Sequence, residues 1–419
     1  MSPKPIVSLV LPLLLAPTVQ AGVTVVDASS PVPVVQAAVD AAANGVILLV
    51  EPGEIDGGST ITIDGKALTL IADGDTVPLG RLIVKNLPAG QQVTVRGFTL
   101  DTAFISTTTL STGQVEVRNC AGSVWIESCT ATAPPTGGGA FGTTFTAVAG
   151  ALVENSSAVV LLRCRLTGGR GGPESPSCTI PGYAFPGPGG AGLRVTGSVV
   201  AVHGGELTGG EGGHDSFGAC QPEFTAEKGG PGLSVQGSTV HVAGATVLGA
   251  DVTPLSASPG EGLVVADAGS VVSLRGATVL AGLGPPPVAD IVAPPDTVST
   301  FAAPPRELQV SSPVREGHTA QLVIDGQVGE LTAIFVGFSG AALVAPGKQG
   351  VWALGAPFFG PLLVAANPVG HWVIPFTTGN LSPPSLMGQT YLLQLVVHDG
   401  SQVSYGGETA YVLIDSTIP

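Results

Sequence analysis

Five segments of the chain can be written under one another, and this limits the fold more than any other feature. Residues 117–134, 152–169, 193–210 and 233–250 are each 18 residues long, and 263–282 is 20. "LRVTGSVVAVHGGELTGG" lies over "LSVQGSTVHVAGATVLGA" without a gap. One column holds Val124, Val159, Val200, Val240 and Val272; two residues on come Ile126, Leu161, Val202, Val242 and Leu274. Between them the residues are mixed: Trp125, Val160, Ala201, His241 and Ser273. That is strand alternation, apolar inward and variable outward. Two further inward columns are Cys129, Cys164, Gly205, Ala245, Ala277 and Ala131, Leu166, Leu207, Val247, Val279. The bend before them is Ser128, Arg163, Gly204, Gly244 and Gly276. A rung of short strands and bends is one coil of a parallel β-solenoid. Coils stack at about 4.8 Å, so each column becomes an internal ladder and neighbours bury the face that one coil cannot. An antiparallel sandwich would instead show Asn-Gly or Asp-Gly hairpin turns and no fixed register.

Between the rungs lie segments of 17, 23, 22 and 12 residues, 135–151, 170–192, 211–232 and 251–262. All leave the coil at one corner, so they stack into a glycine-rich wing. Cys178 is the ninth residue of its loop and Cys220 the tenth of the next. This register predicts a Cys178–Cys220 disulfide tying neighbouring loops together. Cys129 and Cys164 fall in the inward small-residue ladder and are expected to behave as small apolar residues; a strained bridge between them is the alternative. No CxxC or Cys/His cluster points to zinc, and no cofactor is implied.

The chain opens with Lys4, an apolar run from Ile6 to Ala16, and the small-residue site Val19-Gln20-Ala21. Residues 1–21 read as a secretory signal peptide, giving a secreted or cell-surface protein. The run is too short for a membrane anchor and is broken by Pro12. Only 11% of residues are charged and mean hydropathy is +0.45, a composition that a repeat β protein can carry in buried strands and glycine turns. A net charge of −15 argues against nucleic acid, which needs a basic footprint.

Upstream of the rungs, "SSPVPVVQAAVDAAANG" has Ser29 or Ser30 as a cap, apolar residues at Val35, Ala38, Val39 and Ala42, and Gly45 as a stop. An amphipathic helix here would cover the open end of the solenoid. The run "VVQAAVDAAANGVILLVEPGEI" followed by "ITIDGKALTLIAD" resembles the capping helix and first coils of right-handed parallel β-helix proteins of the pectate-lyase-like superfamily. The resemblance covers about residues 23–284. It implies the fold and leaves function open among lyases, hydrolases, epimerases, tailspikes, adhesins and non-enzymatic surface proteins.

After Gly284 the text changes. Residues 285–305 read as a proline-rich linker. From 306 to 419, seven apolar segments about 8–15 residues apart predict a small antiparallel β-sandwich, Ig-like or similar. The connector implies few contacts across it, so the sandwich is expected to fold alone. The expected architecture is therefore all-β: signal peptide 1–21, parallel β-helix 22–284, linker 285–305, sandwich 306–419.

Chemistry on such a fold needs charged residues on outward positions beside the long loops. Polysaccharide lyases of the resembled superfamily use a basic residue to abstract a proton; hydrolases use two carboxylates. The outward column Thr130, Arg165, Glu206, Thr246, Thr278 stacks Arg165 on Glu206, where a surface ion pair is the plainer account. The wing adds Arg170, Glu174, Glu211, His214 and Asp215 as weak candidates. His203 and His241 read as surface residues. Trp125, Tyr183, Phe185, Phe217 and Phe224 are the aromatic residues near the wing that could stack on a sugar. The charge is thin. The chain is expected to be a non-catalytic exported protein presenting its wing to an extracellular polysaccharide or cell-surface component, with a polysaccharide lyase or glycoside hydrolase as the alternative.

Overall fold

The computed structural model describes residues 22–27, 33–52, 60–74, 77–101, 113–135, 147–171, 187–213, 227–251, 258–302, 306–344, 350–367, 369–377 and 389–414. Residues 22–302 form a right-handed parallel β-helix of three sheets, with ten, eight and seven strands among the described residues. The valine column is one interior ladder: Val124 pairs with Val159, Val159 with Val200, Val200 with Val240, and Val240 with Val272. None of the five is more than 1% exposed. The eight-stranded sheet departs from the gap-free alignment. There Val117 stacks on Val153 and Val153 on Val195, while Leu152 pairs with Glu116 and Arg194 on the outer face. The corner after these strands is one residue longer at 153–159 than at 195–200, and longer again at 117–124, so the register slips.

Two corners recur with the backbone in the left-handed region. One is Gly97, Ser128, Arg163, Gly204, Gly244 and Gly276; the other is Gly65, Asn86, Asn119, Asn155, Gly197 and Gly237. Glycine and asparagine adopt this conformation readily. Ser128 (φ 51°) and Arg163 (φ 50°) do so without that ease. They are held because each corner N–H donates to the next coil: Ser128 N to Leu162 O at 2.8 Å, Arg163 N to His203 O at 2.8 Å.

Just past the asparagine corner runs a buried serine ladder. Ser156 N donates to Ser198 Oγ (3.0 Å), Ser198 N to Ser238 Oγ (3.1 Å) and Ser238 N to Ser270 Oγ (3.3 Å). The Ser156, Ser198 and Ser238 hydroxyls each donate to the carbonyl two residues back. Cys120 precedes the ladder, its N–H on Ser156 Oγ. Cys120, Cys129 and Cys164 are all buried free thiols. Burial pushes Cys129 up to about 11 and raises the other two, so they serve as small packing residues.

The amino-terminal end is closed by helix α1 (Pro33–Ala41), with Val35 and Val39 wholly buried on the core. Its Gln36 side chain stands in for a missing strand: Thr62 N donates to Gln36 Oε1 (2.7 Å) and Gln36 Nε2 donates to Thr62 O (3.1 Å). Lys66 Nζ donates to the last helical carbonyls, Val39 O and Asp40 O, at 2.9 and 2.8 Å. At the other end the proline-rich stretch is no free linker. Ile291–Val292 pairs with Leu263–Val265, and Val298–Phe301 with Val271–Arg275, both in parallel, as part of a last coil.

Residues 306–414 form the sandwich, a three-stranded sheet facing a five-stranded one, with a hairpin (Gly340–Val344, Val351–Leu354) beside them. Leu308, Ile324, Ile334, Tyr391, Leu395 and Leu413 lie in its core. The expectation of few contacts with the solenoid is overturned. The outer side of the five-stranded sheet packs on the outer face of the ten-stranded sheet. Trp125, Val160, Leu162 and Ala201 are buried against Val351, Ala353, Leu354, Leu392 and Ala410. Ile47, Leu49 and Ile71 are buried against Val412 and Ile414. Glu127, inaccessible to water, locks the register. It accepts from Ala410 N (3.0 Å) and Thr409 Oγ1 (2.9 Å) and is paired with Arg163 and with Arg96 Nη1 (3.1 Å). Arg96 in turn donates to Ala410 O (2.6 Å) and Val310 O (2.9 Å). Side chains of two coils thus satisfy the backbone of a sandwich strand as a neighbouring strand would.

Candidate functional site

With one face of the solenoid covered, the other two sheets and the corner between them remain for contact. The wing leaves at that corner. Its base is a ladder of peptide groups drawn alternately from chains going out and chains coming back. Gly169 N donates to Val148 O, Gly190 N to Gly169 O, Gly210 N to Gly190 O, Gly230 N to Gly210 O, Ala250 N to Gly230 O, Gly260 N to Ala250 O and Gly282 N to Gly260 O, at 2.7–3.0 Å. A methyl built on Gly190, Gly210 or Gly230 would lie 2.0–2.1 Å from a backbone oxygen. Glycine is required at these three positions by close approach, because departing and returning strands interleave there with no space for a side chain, while Val148 and Ala250 on the same ladder carry theirs. The repeated "LTGG" is therefore the signature of a neck. Each loop is clamped at its root by the loops before and after it.

The outward residues at the neck pair with one another. Arg165 Nε lies 3.8 Å from Glu206 Oε2, and Arg170 Nε 3.8 Å from Glu211 Oε2; Glu206 is half-buried and the other three are exposed. Thr208 Oγ1 donates to Glu206 Oε1 at 3.0 Å. Lys228 pairs with the buried Glu261. His214, Asp215, Glu174, Cys178 and Cys220 lie outside the described residues, as do Tyr183, Phe185, Phe217 and Phe224. Trp125, read as a possible sugar-stacking residue, is under the sandwich and wholly buried. His203 and His241 are buried there too, rather than on the surface.

A denser charged cluster occupies the outer face of the eight-stranded sheet, on the other flank of the wing. Glu116, only 2% exposed, pairs with Arg81, accepts from Gly113 N at 3.1 Å, and lies 3.0 Å from Arg118 Nε. The same Arg118 Nε is 3.5 Å from Glu154 Oε2 on the next coil. Further along, Asn86 Nδ2 (2.9 Å) and Lys85 Nζ (3.2 Å) bind Asp64 and hold its carboxyl below the usual range. Burial lowers the Arg194 guanidinium, against the pull of Glu154. The aligned rungs begin at Val117, inside the strand Gly113–Arg118 and one residue past Glu116, so the cluster is cut by their edge. The alternation "VEVR" at 115–118, with Glu154 in the next rung, was its legible trace.

A third feature is an open cleft of about 520 Å³ where the solenoid corner meets the sandwich hairpin. Gln91, Ser123, Ser157, Phe338 and Ser339 line it, and none of its lining side chains is charged. Among the described residues no helix is long and apolar enough to cross a membrane. Compared with known proteins, the chain matches no protein-family model, no curated protein and no solved structure.

Proposed function

We propose that the chain is an exported, non-catalytic β-helix protein of the pectate-lyase-like kind that presents its glycine-rich wing to an extracellular glycan or a cell-surface component. The observation that carries this reading is the interleaved neck. A free loop loses conformational entropy when it binds; loops clamped at both roots, one above another, have given up part of it on folding. The pairing of Arg165 with Glu206 and of Arg170 with Glu211 also favours contact over catalysis, since each charge is directed at its neighbour. The docked sandwich holds one face shut, and the neck lies at the corner between the other two sheets.

The test uses the purified mature chain on a glycan array. A companion chain has residues 172–186 and 214–226 replaced by short Gly-Ser turns that keep the neck. Binding by the first and its loss in the second is the expected result. Unchanged binding by the shortened chain refutes presentation by the wing. Cleavage of an array polysaccharide refutes the non-catalytic reading. It would favour the second reading, a polysaccharide lyase or glycoside hydrolase, for which the Glu116–Arg118–Glu154 cluster is the supporting observation.

A further inference from the structure

The seam between solenoid and sandwich buries more charge than packing requires. His203 and His241, on adjacent coils, have ring centroids 5.7 Å apart and are 6% and 5% exposed. His203 Nε2 is 3.2 Å from Glu408 Oε2 of the sandwich. Glu408 Oε1 accepts from Gln394 Nε2 at 3.1 Å. Gln394 is itself fixed by Ala353 N (2.9 Å) and Val351 O (2.7 Å). Both nitrogens of His203, His241 Nε2, Glu408 Oε2, and Nε and Nη1 of Arg275 are buried with no hydrogen-bond partner, the His203–Glu408 approach being a close contact without hydrogen-bond geometry, whereas Arg275 Nη2 donates to Ser404 Oγ at 3.2 Å.

The charged groups facing the two rings come from both domains. On the solenoid, Arg163 precedes His203 by one coil and Arg275 follows His241 by one coil. Glu127 is already engaged by Arg96 and Arg163. On the sandwich side are Glu408, the Arg306–Glu330 pair, and Asp399, which acts on Arg275 and Arg306 from a distance. Protonating both imidazoles would gather four cations, His203, His241, Arg163 and Arg275, in a dry seam. Beyond the engaged Glu127, only Glu408 stands directly against them.

We propose that this seam is an acid-operated latch: protonation of His203 and His241 releases the sandwich from the outer face of the solenoid and uncovers the apolar strip around Trp125. The direction follows from linkage. Burial first, then the Arg275 charge, holds His241 down at about 4, and burial with the neighbouring His241, Arg275 and Arg163 holds His203 well below its ordinary value. The released rings titrate near 6.5. Docking therefore loses stability as pH falls below about 6.5 and the released state takes up the extra protons. Glu408 works in the opposite sense. Burial raises it from 4.5 to about 8, so the docked form keeps a proton that the released form gives up. Its contribution fades as pH rises from about 4.5 towards 8. Two histidines against one glutamate give a steeper acid limb and tightest docking near pH 6.5.

The full chain is followed by small-angle scattering and tryptophan fluorescence between about pH 8 and pH 4. The expected result is a reversible rise in radius of gyration with a red shift below about pH 5, and no such opening down to about pH 4 in the His203→Gln/His241→Gln variant, whose remaining group, Glu408, favours docking as pH falls. His241→Gln alone, which leaves the His203–Glu408 contact in place, should lower the midpoint without abolishing the opening. That single variant decides the matter if the double one fails to dock. Glu408→Gln should flatten the alkaline limb. A wild-type chain unchanged at pH 4, or variants opening at the wild-type pH, overturns the proposal.

Discussion

Glu127→Ala tests whether the sandwich is held by its lock or only by apolar cover. In the native seam the carboxylate takes four partners: Arg96, Arg163, the Thr409 hydroxyl and the Ala410 N–H. Removing it strands two cations and two neutral donors. The cations are partly compensated. Arg96 keeps Ala410 O and Val310 O, and Arg163 keeps Leu308 O at 3.1 Å. The Ala410 N–H has no such reserve, and the Thr409 hydroxyl keeps only the bond it accepts from Arg163 Nη2 at 3.4 Å; each donor costs about 1–3 kcal/mol when left unmade. Breaking a buried ion pair from one side costs about 3–5 kcal/mol. Since these penalties overlap, we expect a loss of about 4 kcal/mol in docking, roughly a thousandfold in the docked population. Glu127→Gln, which keeps an acceptor for Ala410 N, should cost about half as much. Hydrogen exchange reads this directly. Amides of the Val403–Ile414 strand should exchange up to about a thousandfold faster in Glu127→Ala, while those of the Val199–His203 strand, paired on both sides within the solenoid, stay protected. A change of less than about fivefold, roughly 1 kcal/mol, would refute the lock and leave apolar burial as the whole of the docking energy.

Two more outcomes follow from the same geometry. Gly210→Ala puts a methyl 2.1 Å from Gly169 O and strains ladder bonds on both sides. A loss of about 2–4 kcal/mol in chemical denaturation is expected, against no change for Gly22→Ala, where nothing lies within 4 Å. Val200→Asp buries an unpaired carboxylate between Val159 and Val240; it should cost more than about 4 kcal/mol and leave little soluble chain, as circular dichroism on purified material would show.

The inward columns were readable because period-two alternation repeats at a fixed spacing, so Val124 to Val272 could be aligned by eye. The Gly97-to-Gly276 corner was partly readable. Arg163 hid it, since only the backbone of that residue obeys the pattern. The serine ladder stood in plain text as Ser198, Ser238 and Ser270 after each "TG", "QG" or "AG". It went unread because serine after glycine is ordinary turn chemistry. The outer face failed for a deeper reason. Alternation separates inside from outside, but outside can mean water or another domain. Trp125, Val160 and Ala201 in one outward column were the clue, as three apolar residues stacked on adjacent coils form a surface that needs cover. The prolines of 285–305 read as a tether because the strands at Ile291–Val292 and Val298–Phe301 are too short to show a period. The wing's candidate residues beyond the neck belong to no repeat, so nothing in the text could position them.

The last described strand ends at Ile414, and that residue lies on Ile47, Leu49 and Ile71 of the earliest coils. During synthesis the first coils can stack as soon as they emerge, each on the one before. Their outer face, however, stays bare until Val412 and Ile414 have been made. Until then the chain carries a greasy stripe that awaits the Val403–Ile414 strand. A chain cut short anywhere after the solenoid would keep its stack and lose its cover. It would become a sticky rod, a natural target for chaperone or protease. Completion of the sandwich is thus checked by the fold itself, with the Val403–Ile414 strand as the seal.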